Sequence, residues 1–180
     1  MMPRISFLLG ILLFVGFPAL GATEEALKPI PEYSMKVAYL YNFAQLTSWP
    51  DSSTADGDFN LCIYGSDDFG SALKTLSGKT INSRHVRVLH VTDTTDAQRC
   101  QLVFVADNDG ARSSRLFEAL RSEAILTVTD DEKTAKSGAM LMIRAEEQRL
   151  SFDVNLDAAK RAQLTFSSKL LRLAKKVTGE

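Results

Sequence analysis

The sequence predicts an α/β fold: a mixed, mainly parallel sheet with helices on both faces, in a single domain. Three observations lead there. Short strand-like runs alternate along the chain with segments of helical spacing, the order expected when strands are joined by crossover helices. Leu102 to Ala106 is apolar throughout and Ile125 to Val128 nearly so, as befits strands covered on both sides. Near the end, Met140 to Arg144 and Arg149 to Val154 flank Ala145 to Gln148 closely enough to form an antiparallel hairpin.

The first residues stand outside this pattern. Met1 to Arg4 is short and ends in a cation, Ile5 to Phe17 is almost purely apolar, and Ala19-Leu20-Gly21 supplies small residues for cleavage. Residues 1–22 therefore read as a secretory signal peptide, leaving 23–180 as the exported domain. The apolar run is shorter than the roughly 18 to 20 residues of a spanning helix, and an uncleaved anchor is the alternative. No cysteine follows the cleavage region, so a lipid-anchored N-terminus is not expected. Thr23 to Pro31 is a short tether.

Tyr33 to Ser48 reads as a helix that is apolar on more than one side. Met35, Ala38, Tyr39, Asn42, Phe43 and Leu46 make one face, while Val37, Leu40, Tyr41 and Ala44 make another. Such a helix should be covered by core and by a second surface, for which another subunit is a candidate. Trp49-Pro50 stops it, and Asp51 to Asp58 is an acidic loop. Phe59 to Tyr64 is the next strand, followed by a turn, Gly65-Ser66-Asp67-Asp68, into a helix ending near Ser77. A helix start there invites phosphate, but the two aspartates would repel it, and a capping role for Ser66 and its acidic neighbours is the better account. Gly78-Lys79-Thr80 imitates the end of a phosphate loop, but Leu73 occupies the position of the required glycine.

Arg84 to Val91 is a further strand, and Ala111 to Arg121 a helix between the two buried runs. Asp130 to Lys136 is polar and ends at Gly138, a suitable helix stop. In Arg149 to Asn155 the apolar Leu150, Phe152 and Val154 alternate with Ser151, Asp153 and Asn155, the period of a half-buried strand. Asn155 can then cap a helix over Leu156 to Leu164, with Asp157 placed to suit its dipole. Ser167 or Ser168 can cap a last helix running to Val177. Its apolar face is Leu170, Leu171, Leu173, Ala174 and Val177, with Lys169, Arg172, Lys175 and Lys176 opposite. That face is either docked on the protein's own core or offered to a partner.

Composition excludes several functions. The formal net charge is -1 and the cations are spread along the chain, so nothing marks a surface for nucleic acid or membrane. His85 and His90 are five apart in a strand and face opposite sides, so they cannot chelate one metal together. No Gly-x-Ser-x-Gly elbow and no His-Glu-x-x-His occurs. Asp67-Asp68 and Asp130-Asp131 are adjacent pairs at strand ends, where helix capping outweighs a role as acid and base. No enzyme, metal site or cofactor is expected. In an oxidising compartment the two cysteines, Cys62 and Cys100, favour a disulfide, with two separate buried thiols as the alternative. A cross-link closing a loop of about 40 residues is worth roughly 4 kcal/mol on the chain-entropy account.

The order of these residues resembles a known family. Lys36-x-Ala38, Tyr41-Asn42-Phe43, Trp49-Pro50, Cys62, Gly65, and Cys100 before Phe104 are similar to the YfiR-type periplasmic proteins. So is the closing stretch: Phe152-x-x-Asn155, then Ala159-x-x-Ala162-x-Leu164-x-x-Ser167-x-x-Leu170-Leu171-x-x-Ala174. The resemblance implies a periplasmic repressor that binds the periplasmic sensing domain of an inner-membrane diguanylate cyclase, holding down cyclic di-GMP and biofilm formation. It also implies an outer-membrane lipoprotein that can sequester the repressor, a homodimer, a Cys62 to Cys100 disulfide, and partner contact through Leu164, Leu170, Leu171, Leu173, Ala174 and Val177. Some members carry a second cysteine pair in the last third of the chain. This sequence has none, so a redox switch built on that pair does not carry over. The rival readings are a periplasmic small-molecule sensor using the cleft at the carboxyl ends of the strands, and a hydrolase built on Asp67, Asp68 and Asp130.

Overall fold

The structure, a computed structural model, describes residues 31–50, 57–107, 109–146 and 149–179. The signal segment, most of the tether and most of the acidic loop lie outside them. Helix α1 (Glu32–Gln45) precedes a two-residue strand β1 (Thr47–Ser48) and then β2 (Phe59–Tyr64). A 3-10 segment (Gly70–Leu76) leads to β3 (Thr80–Ile81), β4 (Arg84–Val91), α2 (Thr94–Ala97) and β5 (Leu102–Val105). Next come α3 (Gly110–Leu120), β6 (Leu126–Thr129), α4 (Glu132–Lys136), β7 (Leu141–Glu146) and β8 (Arg149–Asn155). The chain closes with α5 (Leu156–Arg161), β9 (Thr165–Phe166), α6 (Ser168–Leu173) and β10 (Lys176–Thr178).

Eight strands form one sheet in the order β10-β8-β7-β6-β5-β2-β4-β3. β4, β2, β5, β6 and β7 run parallel, β8 returns antiparallel against β7, and β3 is antiparallel at the other edge. This is the mixed, mainly parallel sheet the sequence predicts. Strand alternation divides the core between two faces. Leu61 and Ile63 of β2, with Leu102 and Phe104 of β5, join one cluster under α1. Cys62, Tyr64, Val103 and Val105 point the other way and meet Leu116, Phe117 and Leu120 of α3. Helices therefore cover both faces.

Local chemistry sets several boundaries. The Asn155 side chain accepts the Ala158 amide and starts α5, and Ser167 accepts the Leu170 amide and starts α6. Asp109 and Asp131 do the same for α3 and α4. At the turn after β2 the outcome differs from expectation. The helix there is 3-10, and Asp67, not Ser66, accepts an amide hydrogen, that of Phe69.

Three expected helices are shorter than their spacing suggests, and each yields to pairing elsewhere. α1 ends at Gln45, because Thr47 and Ser48 pair with Phe166 and Thr165 in a separate two-stranded sheet. The segment Leu156 to Leu164 is helical only to Arg161. Gln163 adopts φ 58°, and the Leu164 amide closes onto Ala159. The last helix stops at Leu173, so Val177 is not on a helix face: Ala174 is extended, and Lys176–Thr178 pairs in parallel with Asp153 to Asn155. The free edge of β8 takes up the backbone groups of this segment, and β-branched Val177 suits a strand.

Both flanks of α1 are held by this chain itself. The Tyr39 hydroxyl donates to the Leu150 carbonyl at 2.8 Å, and the Tyr41 hydroxyl to the Thr80 carbonyl at 3.0 Å. Each of the two faces the sequence shows as apolar thus includes a tyrosine with a polar tip, Tyr39 on one and Tyr41 on the other.

Candidate partner-binding interface

The closing stretch, read from the sequence as one contact surface, separates into three environments. Leu164 and Leu170 are buried members of the α1 cluster, so they build the core. Leu171 and Ala174 are half-buried against the same cluster. Leu173 is 63% exposed and Val177 41% exposed, the two exposed large apolar side chains among the described residues. Val177 lies in register with Val154 and so shares the face of the sheet that α1 covers.

Leu173 borders an open groove of about 370 Å³ between α1 and α6. Phe43, Phe152 and Leu170, all buried, form its floor. Tyr39, Asn42 and Leu46 form the α1 wall, repeating at helical spacing, and Lys169 stands at the rim. The floor is rigid. Phe43 and Phe152 meet edge to face with centroids 4.8 Å apart, and Tyr39 adds a second such contact to each. The α1 wall is the part that the closing stretch alone does not reveal, although the Tyr39, Asn42, Phe43, Leu46 spacing is visible in the sequence.

Cys62 and Cys100 form a disulfide on the opposite face of the sheet, with Cα atoms 6.0 Å apart. Cys62 lies in β2 and Cys100 just ahead of β5, so the bond fastens two neighbouring central strands. Both cysteines are buried. The disulfide stands away from the groove and acts on the stability of the sheet that supports it.

The carboxyl ends of β2, β5 and β6 gather the acidic residues considered as candidates for chemistry. Each has its own structural partner. Asp67 accepts the Phe69 amide and lies 3.0 Å from His90 Nε2. Asp68 accepts the Tyr33 hydroxyl, and burial together with that carboxylate raises the Tyr33 pKa. Asp130 lies 2.7 Å from Lys36 Nζ, and Asp131 caps α4. Asp107 pairs with Arg112, whose guanidinium also donates to the Tyr64 hydroxyl. The crevice where the strand order reverses, between β2 and β5, is closed by backbone: Gly65 has φ 96°, and a Cβ there would sit 2.9 Å from the Asp107 amide nitrogen. Asp68 and Asp130 are thus both tied to α1, and Asp67 to His90 of β4, so each of the three carboxylates has a structural partner. Among the described residues no group of three or more His, Cys, Asp or Glu is placed to hold a metal, and no helix is long and apolar enough to cross a membrane.

Comparison with known proteins gives one family and a set of distant folds. The model of the YfiR/HmsC-like family matches residues 33–175. No curated protein sequence matches. Among solved structures, a conserved domain protein from Vibrio cholerae O1 biovar El Tor aligns with TM-score 0.56 and 9% identity, covering 83% of this chain and 61% of that one. The ABC domain in complex with L-Trp from Streptococcus pneumoniae aligns with TM-score 0.53 and 10% identity, over 79% of this chain and 60% of that one. The chain therefore spans about three fifths of the length of these solved chains. At such identity they share its fold and nothing finer.

Proposed function

Since the chain belongs to the YfiR/HmsC-like family, whose members are periplasmic regulators of diguanylate cyclase signalling, we propose that it binds the periplasmic sensing domain of an inner-membrane diguanylate cyclase and represses it. Cyclic di-GMP and biofilm formation fall as a result. In this reading residues 1–22 are removed on export and 23–180 act in the periplasm, where an outer-membrane lipoprotein competes for the repressor. The repressor acts as a homodimer and takes no cofactor.

The observation that carries the reading is the groove beside Leu173. A side chain of that size left 63% exposed next to an aromatic floor has a reason to exist if a second protein covers it. At the carboxyl ends of the strands, by contrast, Asp67, Asp68, Asp107 and Asp130 are each engaged by a partner within the chain. The test is calorimetry between the purified mature protein and the periplasmic domain of each membrane diguanylate cyclase of the producing organism. Saturable binding to one of them, lost in Leu173→Asp without loss of melting temperature, is the expected result. Equal binding by Leu173→Asp would overturn the assignment of the groove.

A further inference from the structure

The groove is apolar at its floor and carries charge of one sign at its rim. Lys169 is its single charged lining residue, and Arg172 adjoins Leu173 on the same helix. Both are exposed, and neither is in an ion pair among the described residues. Among the described residues Lys36, Arg112, Arg144 and Lys175 each face a carboxylate, whereas Lys169 and Arg172, like Lys74, Arg87 and Arg115, do not. The facing wall does not neutralise the rim, because α1 is uncharged from Val37 onward and the chain stays so to Ser48. The bias extends to the whole end of the chain. Residues 149–180 hold seven Lys or Arg against three Asp or Glu, leaving fourteen against nineteen in the rest.

We propose that the groove receives an acidic amphipathic segment of the partner, with apolar anchors on Phe43, Phe152 and Leu173, and carboxylates reaching Lys169 and Arg172. This rests on reading the groove as the partner site, and adds the chemistry of what enters it. The division of labour is the usual one for a helix in a groove: buried anchors hold, while rim charges select the partner and speed encounter. A basic segment would meet like charge at Lys169, across from an uncharged wall that offers it no carboxylate.

Two synthetic amphipathic peptides with the same leucine positions, one flanked by glutamates and the other by lysines, test this against the mature protein by amide NMR. The glutamate peptide should shift Asn42, Leu46, Lys169 and Leu173 saturably, and its affinity should fall about tenfold between low and high salt. The double variant Lys169→Glu with Arg172→Glu, both exposed positions, should prefer the lysine peptide. The proposal is overturned if the natural protein binds the lysine peptide as well, if charge reversal leaves the preference unchanged, or if neither peptide shifts these amides. Measured on the cyclase domain, the two ideas part. Loss of binding in Leu173→Asp, with no effect of charge reversal or salt, keeps the partner site and removes its acidic occupant; full binding by Leu173→Asp removes the site itself.

Discussion

Lys36 Nζ lies 2.7 Å from a carboxylate oxygen of Asp130, joining the first helix to the carboxyl end of β6 across 94 residues of chain. The ammonium is almost fully enclosed. Glu32, one helical turn back, takes its other side, and the Tyr33 ring lies 4.9 Å away. Burial opposes the charge, but the hydrogen bonds to Asp130 and Glu32 outweigh it, and the Lys36 pKa rises above 10.5.

Replacing Lys36 by Met should therefore destabilise the fold, by about 1 to 3 kcal/mol. The lower part of that range reflects partners that keep contact with water, Asp130 at 29% and Glu32 at 47% side-chain exposure. Because the folded-state pKa is raised, the contribution is fully present below the unfolded-state value of about 10.5 and is lost as pH climbs through the folded one. Urea melts of the natural protein and Lys36→Met should thus differ at neutral pH and converge in strong alkali. A gap that persists unchanged there would show that packing, and not charge, sets the loss.

Asp131 predicts the opposite pH dependence. The backbone amide of Thr134 donates to its carboxylate, as the cap of α4, and this is the main reason its pKa lies below 3.8. A lowered carboxylate pKa stabilises above the unfolded value and ceases to as pH falls through the folded one. Asp131→Ala should cost about 1 kcal/mol at neutral pH, and Asp131→Asn much less, since the amide oxygen still caps. Below pH 3.8 the difference between the natural protein and Asp131→Ala should shrink.

The disulfide predicts a loss without a change of fold. Reduction, or paired Cys62→Ser and Cys100→Ser substitution, should lower stability by about 2 to 4 kcal/mol, because a cross-link spanning 38 residues restricts the unfolded chain. Thermal scans with and without reductant measure this. An unchanged midpoint in the serine variant would assign the bond no structural role.

Where chemistry is local, the sequence is easily read. The bounds of β2 and β4 are legible because apolar and alternating runs end at Gly65-Ser66 and Thr92-Asp93. The caps at Asn155, Ser167 and Asp131 are legible because a side-chain oxygen needs only its own next turn. What stays hidden depends on distant neighbours. β1 and β9 exist because Thr47 finds Phe166, and β10 because Lys176 finds Asp153. Val177 shows the hazard directly. It falls at helical spacing after Leu170 and Ala174, yet the open edge of β8 claims it. The groove was half legible for the same reason. Each wall is visible as an apolar stripe, but that Phe152 supplies the floor between them requires the fold.

Leu170 and Leu173 of α6 should separate stability from binding. Leu170 is fully enclosed in the α1 cluster, so Leu170→Ala should cost about 2 to 5 kcal/mol, the range for a buried leucine whose cavity cannot collapse. Leu173 sits three residues later on the same helix but mostly in solvent, and truncating it removes little buried area. Leu173→Ala should therefore change stability by less than about 0.5 kcal/mol. Binding should rank them in reverse once corrected for folding. An interface anchor lost from the rim of an aromatic floor costs about 1 to 2 kcal/mol of affinity, whereas the Leu170 variant, which keeps Phe43 and Phe152 in the groove floor and Leu173 at its rim, should lose less when assayed well below its melting temperature. Denaturation and calorimetry on the same two proteins decide the matter. Should both variants lose binding in proportion to stability, α6 serves the core alone, and the contact surface belongs to the α1 wall at Tyr39, Asn42 and Leu46.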